Sequence, residues 1–273
     1  MKKKFIFIGV ILITFIAAIF LLISGKSSTP VKTGHYQKPF KEAKIMYEKA
    51  GKLAKEGKLL EARKVYKKLL SEYPESNLVK NSRKELDKIN IEILFSARLA
   101  ENSVFYEVKP GDTLTKIAGN FGTTVELIMR SNNLKNTIIR PGMRLKISKA
   151  KYGILVDKSQ NILMLKSDNE ILKTYKVSTG ENNSTPTGTY SIKNKLVNPT
   201  WYKPGAVVPP ESPENILGSR WMGLTIDDYG IHGTTDESTI GRQVTAGCIR
   251  MRNKDVEELY SIIPVGTKIT IID

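Results

Sequence analysis

Apolar residues are spaced differently in different parts of this chain, and the spacing divides it into five stretches. Phe5 to Ile23 is a run of 19 residues without a charge, preceded by Lys2, Lys3 and Lys4. As a helix it reaches roughly 28 Å, close to the ~30 Å hydrocarbon core of a bilayer. The run is longer than the apolar core of a cleaved leader, and the segment after it offers only a weak cut site. Residues 1–25 are therefore expected to form an uncleaved, single-pass membrane anchor. Its lysines stay cytoplasmic, which places the rest of the chain on the outer, cell-wall side of a bacterium. Residues 26–38 are polar with Pro, Gly and Ser, and read as a linker.

Residues 39–103 carry apolar positions at helical spacing. Ala50, Gly57, Ala62, Tyr66 and Pro74 fall at the offsets of a tetratricopeptide repeat: small residue, turn glycine, small residue, aromatic, closing proline. One such unit cannot bury its own face. The stretch 77–99 is expected to supply a third helix that covers it. The expected role is a helical spacer, with binding of a protein partner as the second reading.

Residues 104–149 change period twice. A strand from Phe105 to Val108 runs into Pro110–Gly111. Leu114, Ile117, Ala118 and Phe121 then line one helical face. Thr123 and Glu126 have capping-box spacing ahead of a second helix. Pro141–Gly142 turns into a closing strand, Arg144 to Ile147. The order strand, helix, helix, strand, with "YEVKPGDTL" at one end and "PGMRLKI" at the other, resembles a LysM domain. That resemblance implies binding to N-acetylglucosamine-containing glycan strands. Carried over from the family, the contacts are Gly111, Asp112, Thr113 and Thr115 in one loop, and Ile138, Ile139, Arg140 and Pro141 in the other.

Residues 150–273 alternate in short β-rich runs broken by polar turns, with one helix expected near 254–262 and Asn253 as its N-cap. The fold class is thus multidomain: an anchor, an α-helical spacer, a βααβ unit and a mostly-β, sandwich-like C-terminal domain. Charge follows the same division. Of 43 basic and 27 acidic residues, 29 and 13 lie in residues 1–150, leaving 14 of each in 151–273. The net charge of +16 therefore belongs to the N-terminal half. On the outer side of a membrane such a surface favours anionic wall polymers, and nucleic acid drops out as a partner.

The chain has one cysteine, Cys248, and two histidines, His35 and His232. One cysteine excludes a disulfide framework. One Cys with one His in the domain falls short of a zinc site, and no cofactor is implied. A free thiol is only a few per cent thiolate at neutral pH and needs a base to act as a nucleophile. His35 lies in the linker, so His232 is the only imidazole the C-terminal domain offers. Gly233 follows His232, and Ala246–Gly247 precede Cys248. Glycine beside a nucleophile allows close approach of substrate and frees N–H groups toward an oxyanion.

"IHGTTDESTIGRQVTAGCIRM" is similar to the signature of the L,D-transpeptidase catalytic domain, and "STPTGTY" matches a further family segment. Many members carry a second histidine where this chain has Ala246. The resemblance implies a peptidoglycan enzyme in which Cys248 attacks the third-residue carbonyl of a tetrapeptide stem. D-Ala leaves, and the acyl group passes to the amine of a neighbouring stem as a 3→3 cross-link. It implies His232 as base, oriented by the Gly233 carbonyl, and an oxyanion hole from the backbone of Ala246, Gly247 and Cys248. Substrate contacts are expected from Thr245, Arg250, Trp201, Tyr202, Arg220 and Trp221. Two alternatives remain open. The same thioester can pass to water or a D-amino acid, giving an L,D-carboxypeptidase or exchange enzyme. A domain with a degenerate site would make the chain a non-catalytic wall-binding scaffold. Alkylation at mildly acidic pH is the expected mark of an activated thiolate.

Overall fold

The computed structural model of the chain describes residues 37–273. The expected anchor and nearly all of the expected linker lie outside these residues. Among the described residues no helix is long and apolar enough to cross a membrane.

Three helices come first: α1 (Gln37–Lys55), α2 (Leu59–Glu72) and α3 (Val79–Phe95). The small residues explain their packing. Ala50 and Ala62 are completely buried, which lets α1 and α2 approach closely. Tyr66 fills the seam, edge-on to Tyr47 with ring centroids 5.7 Å apart. Gly57 takes φ +72°, a left-handed turn that ends α1. Helix α3 covers the pair through Leu86, Ile89 and Ile93.

Helix α3 also ties the spacer to the rest of the chain. Asp87 accepts a hydrogen bond from Thr174 N at 3.0 Å, and Asn90 Nδ2 donates to Leu172 O at 2.9 Å. The buried Lys146 ammonium donates to the carbonyls of Ile93, Leu94 and Ser96 at 2.8, 3.2 and 2.8 Å. Leu94 O and Ser96 O are open acceptors at the C-terminal end of α3, while Ile93 O also accepts from Ser96 N and Oγ.

The next unit is β1 (Ser103–Glu107), α4 (Leu114–Phe121), α5 (Val125–Ser131) and β2 (Arg144–Ser148), with β1 and β2 antiparallel. Leu114, Ile117, Ala118, Ile128, Leu145 and Ile147 close its core. Thr113 caps α4 by accepting from Lys116 N. The expected capping box at Thr123 and Glu126 is shifted by one residue: Thr124 is the N-cap of α5 and accepts from Leu127 N. Thr124 also donates to Ser261 O, so the cap is shared with the C-terminal domain.

The C-terminal domain contains β3 (Tyr152–Asp157), β4 (Ile162–Ser167), β5 (Glu170–Lys176), β6 (Thr179–Gly180), β7 (Gly188–Val197), β8 (Trp201–Lys203), β9 (Ala206–Val208), β10 (Arg220–Leu224), β11 (Gly230–His232), β12 (Gln243–Thr245), β13 (Ile249–Arg250), α6 (Asn253–Ile262) and β14 (Lys268–Ile272). Its mostly-β character agrees with the alternating pattern. The principal strands form one continuous ladder, β13-β11-β10-β7-β14-β3-β4-β5. Strand β7 joins the two halves: Gly188 to Ser191 pair with β14, and Ile192 to Val197 pair with β10. The apolar face of α6, Val256, Leu259 and Ile262, packs into the sheet core with Ile154, Val156, Leu163, Ile231, Ile249 and Ile269.

Asn253 does not cap α6. It is the first residue of the helix, and Arg252 at the cap position makes no side-chain cap bond. The Asn253 side chain is drawn back toward the strands, where two backbone N–H groups compete successfully for its oxygen.

Candidate active site

Strand parity assembles the site. Strands β11 and β13 are parallel neighbours, with Ile231 opposite Ile249 and His232 opposite Arg250. Side chains alternate with a period of two, so His232 and Arg250 share a face while Ile231 and Ile249 enter the core. Cys248, one residue before β13, has the parity of Arg250 and lies on that same face. On the other side β10 pairs antiparallel with β11, placing Trp221 directly opposite His232.

Cys248, His232, Thr245, Ala246, Arg250, Trp201, Tyr202 and Trp221 line one cleft of about 600 Å³. Trp201 and Tyr202 reach it from the β8–β9 hairpin, where Tyr202 is 76% exposed. Both belong to the wall of the cleft and neither to the buried core. Arg220 is the exception. It neighbours Trp221 on β10, so parity sends it to the opposite face. There its guanidinium donates to Ser219 O and lies 5.5 Å from the Tyr260 ring. The expectation that Arg220 contacts substrate in this cleft is corrected on that ground.

His232 is buried, and its Nδ1 lies 2.7 Å from the Gly233 carbonyl. A carbonyl can only accept, so Nδ1 carries the proton and Nε2 is left as the basic nitrogen. Burial lowers the imidazole pKa to about 4; the Gly233 carbonyl opposes that shift and the Arg250 charge adds to it. Burial also pushes the Cys248 thiol up, partly opposed by the Gly230 N–H and the Arg250 charge. The thiol donates to Asp228 O at 3.5 Å. Both shifts favour a neutral thiol beside a neutral imidazole over a thiolate–imidazolium pair. Alkylation at mildly acidic pH, the mark of an activated thiolate, would thus report a standing ion pair here.

The turn carrying Cys248 is shaped by two threonines. Thr245 Oγ1 donates to Cys248 O at 2.6 Å and accepts from Gly247 N at 3.2 Å. Thr185 Oγ1 donates to Gly247 O at 2.7 Å and accepts from Gly180 N at 2.7 Å. Two sequence expectations change. The Thr245 hydroxyl is committed to the turn and is not free for substrate. The Gly247 N–H is committed to Thr245 Oγ1 and not to an oxyanion. Gly247 itself has φ +134°, and a Cβ there would meet the Tyr229 ring at 2.6 Å.

The cleft contains residues that no motif announced. Leu196 and Pro199 come from the end of β7 and the loop after it, and Ile216 and Leu217 from the loop before β10. Asp228, in the left-handed region at φ +67°, supplies the carbonyl beside the thiol.

In the βααβ unit, Gly111, Thr115, Ile138, Arg140 and Pro141 are exposed, Ile138 by 70%. Asp112 accepts from Tyr106 Oη and Lys109 N, and Thr113 caps α4, so both serve the loop's own structure. Ile139 packs against the core of the unit. Among the described residues no cluster of His, Cys, Asp and Glu has the makings of a metal site.

Residues 151–271 match the L,D-transpeptidase catalytic domain YkuD, and residues 106–148 match the LysM domain. The YkuD protein of Bacillus licheniformis, named as an L,D-transpeptidase, is 36% identical over 177 residues, covering 62% of this chain and 98% of that relative. Its namesake in Bacillus subtilis is 36% identical over 174 residues, covering 61% of this chain and 97% of its own. The YqjB protein of Bacillus subtilis, also named as an L,D-transpeptidase, is 40% identical over 126 residues, covering 44% and 70%. The chain belongs to the L,D-transpeptidase family. It is a peptidoglycan L,D-transpeptidase with a LysM module.

Proposed function

We propose that the transpeptidase works through a thioester on Cys248, with His232 as its general base and acid. One observation carries this reading: the only thiol and the only imidazole of the domain open into the same cleft, and the imidazole is held with Nε2 unprotonated.

The neutral pair sets the order of events. Sγ attacks the carbonyl of the third stem residue as its proton passes to His232 Nε2. The amides of Ala246 and Cys248 take up the charge on the carbonyl oxygen. The C–N bond to D-Ala breaks, His232 returns the proton to the departing amine, and a thioester remains on Cys248. The side-chain amine of a neighbouring stem then attacks the thioester. It gives its proton to His232, and Sγ leaves and is reprotonated. Proton transfer accompanies attack because burial disfavours a standing ion pair.

Trp201, Tyr202, Trp221 and Arg250 form the donor walls in this reading. The LysM module holds the glycan strand through its two exposed loops. Residues 1–25 anchor the chain in the membrane with the remaining domains on the wall side, and the basic half rests among anionic wall polymers. The TPR-like helices serve as a spacer and can present a surface to a protein partner. Tethering raises the local concentration of stems at the cleft.

Intact-protein mass spectrometry with disaccharide-tetrapeptide, coupled to product analysis, tests the reading. The expected result is a D-Ala-loss adduct on Cys248 and a cross-linked dimer. An adduct with tripeptide alone points to the carboxypeptidase, and exchange requires an added D-amino acid in the product. Cys248→Ala should abolish turnover and leave fold and glycan binding intact. Turnover retained by that variant overturns the mechanism.

A further inference from the structure

Asn253 lies outside the cleft lining, yet its side chain is joined to the base by a single peptide plane. Its Oδ1 accepts from Thr234 N and from Ser219 N, both at 3.1 Å. Two N–H donors on one atom fix the carboxamide with its oxygen inward. The Thr234 N–H belongs to the same peptide unit as the Gly233 carbonyl, and that carbonyl is the partner of His232 Nδ1 at 2.7 Å. The unit is planar and trans, so its N–H and C=O point in opposite directions. Asn253 holds one side of the plane and His232 meets the other.

The surroundings are built to admit this side chain. A Cβ on Gly233 would come within 2.1 Å of Asn253 Oδ1, and one on Gly218 within 2.3 Å. Gly218 adopts φ +64°, which further favours glycine. Helix α6 forgoes a side-chain cap while its first residue turns back to the strands. A missing side-chain N-cap costs a helix stability. Asparagine at this position therefore serves the loop behind His232 at the expense of its own helix.

We propose that Asn253 is a positioning residue for His232. By fixing the Gly233–Thr234 peptide plane it keeps the Gly233 carbonyl aimed at Nδ1 and so keeps Nε2 as the basic nitrogen. The hydrogen bond at the N–H end also polarises the carbonyl end, strengthening its hold on the imidazole. This inference rests on the assignment of His232 as the base.

The test combines kinetics with imidazole ¹⁵N NMR on the full chain, whose two histidines keep the spectrum simple. Asn253→Ala should lower kcat about 10- to 100-fold with little change in KM, the scale of losing an outer partner that orients a histidine. Its His232 should show a mixture of tautomers where the wild type shows only Nδ1–H. Asn253→Asp keeps the acceptor and sits favourably at a helix N-terminus. It should fold and retain the Nδ1–H tautomer, even if the alanine variant is too unstable to study. A folded Asn253→Ala with wild-type kcat and a single Nδ1–H tautomer overturns the proposal, as does a folded Asn253→Asp with the opposite tautomer. The spectrum reads the tautomer whether or not the protein turns over. Failure of the catalytic assignment is seen instead as absent wild-type turnover.

Discussion

Trp221 stacks on His232, with ring centroids 6.1 Å apart and planes 21° from parallel. The two residues are directly opposed on antiparallel β10 and β11. Gly230, two positions before His232, leaves space for the indole; a Cβ there would lie 2.6 Å from the Trp221 ring. The indole is therefore both a wall of the cleft and a lid over the imidazole that excludes water from it.

Removing that lid should raise the imidazole pKa. Trp221→Ala loses stacking of about 1 kcal/mol and admits water to the ring. The His232 pKa, now about 4, should move toward its ordinary 6.5. The acid limb of kcat/KM should move to higher pH by the same amount. Trp221→Phe should shift it less. An unmoved limb in a folded Trp221→Ala variant means the indole does not set the environment of the base.

The wild-type limb should itself fall near pH 4. In the proposed mechanism the neutral imidazole is the active form, and it persists until the folded-state pKa is reached. Stability responds in the same window. Above pH 6.5 the imidazole is neutral in both folded and unfolded chains. Below 6.5 the unfolded chain takes the proton and the folded chain does not, so stability falls as pH drops from 6.5 to about 4. The full loss is about 3 kcal/mol. Urea unfolding at pH 7 and pH 4 reads it, with His232→Gln as the reference. Alkylation of Cys248 should be slow at pH 6 and rise with pH without levelling off until beyond the ordinary thiol value of 9.0. Rapid alkylation at pH 6 would show a standing ion pair and refute the concerted order of attack.

Gly247 offers a test of the nucleophile turn that leaves the thiol in place. Gly247→Ala must strain a backbone at φ +134° and displace Tyr229. Strain of this kind is worth about 1–3 kcal/mol. The variant should stay folded, keep one titratable thiol and lose about 10- to 1000-fold in kcat as the turn and its free amides rotate. Thermal unfolding and thiol titration, run beside the kinetics, separate this from unfolding.

The pairing of Cys248 and His232 in one cleft was more legible than what surrounds it. Cys248 and His232 could be paired from sequence because each is the only residue of its type in the domain. Ala50, Gly57, Ala62 and Tyr66 could be placed because small and aromatic residues at fixed offsets have few uses. Arg220 was misplaced because its face depends on where β10 begins, and one residue of register reverses every side chain. Asn253 reads as a helix cap because asparagine is a good one; only the fold brings two competing N–H donors from 19 and 34 residues earlier. The Thr245 hydroxyl reads as a substrate contact until its own turn consumes it. In each of these cases the deciding partner is a backbone group, and backbone groups leave no mark in the sequence.

Lys146 is the sharpest case, since a lysine in an amphipathic strand reads as surface. It is 2% exposed, and its ammonium donates to three backbone carbonyls at the end of α3 and to no carboxylate. Burial lowers its pKa to about 8. Lys146→Met should keep the apolar stem and strand the Leu94 and Ser96 carbonyls, Ile93 O keeping Ser96 N and Oγ, a loss of about 1–3 kcal/mol after relief of the buried charge. The pH dependence has a definite sign. Between pH 8 and 10.5 the folded lysine has released its proton while the unfolded one still holds it, so the wild type gains stability across that window. The methionine variant lacks the gain, and the difference between the two should be larger at pH 10 than at pH 7 in urea unfolding. The LysM unit should also separate more readily from α3, seen as faster proteolytic cutting between residues 96 and 103. Equal cutting and a pH-independent difference would mean that the amine does not hold the junction.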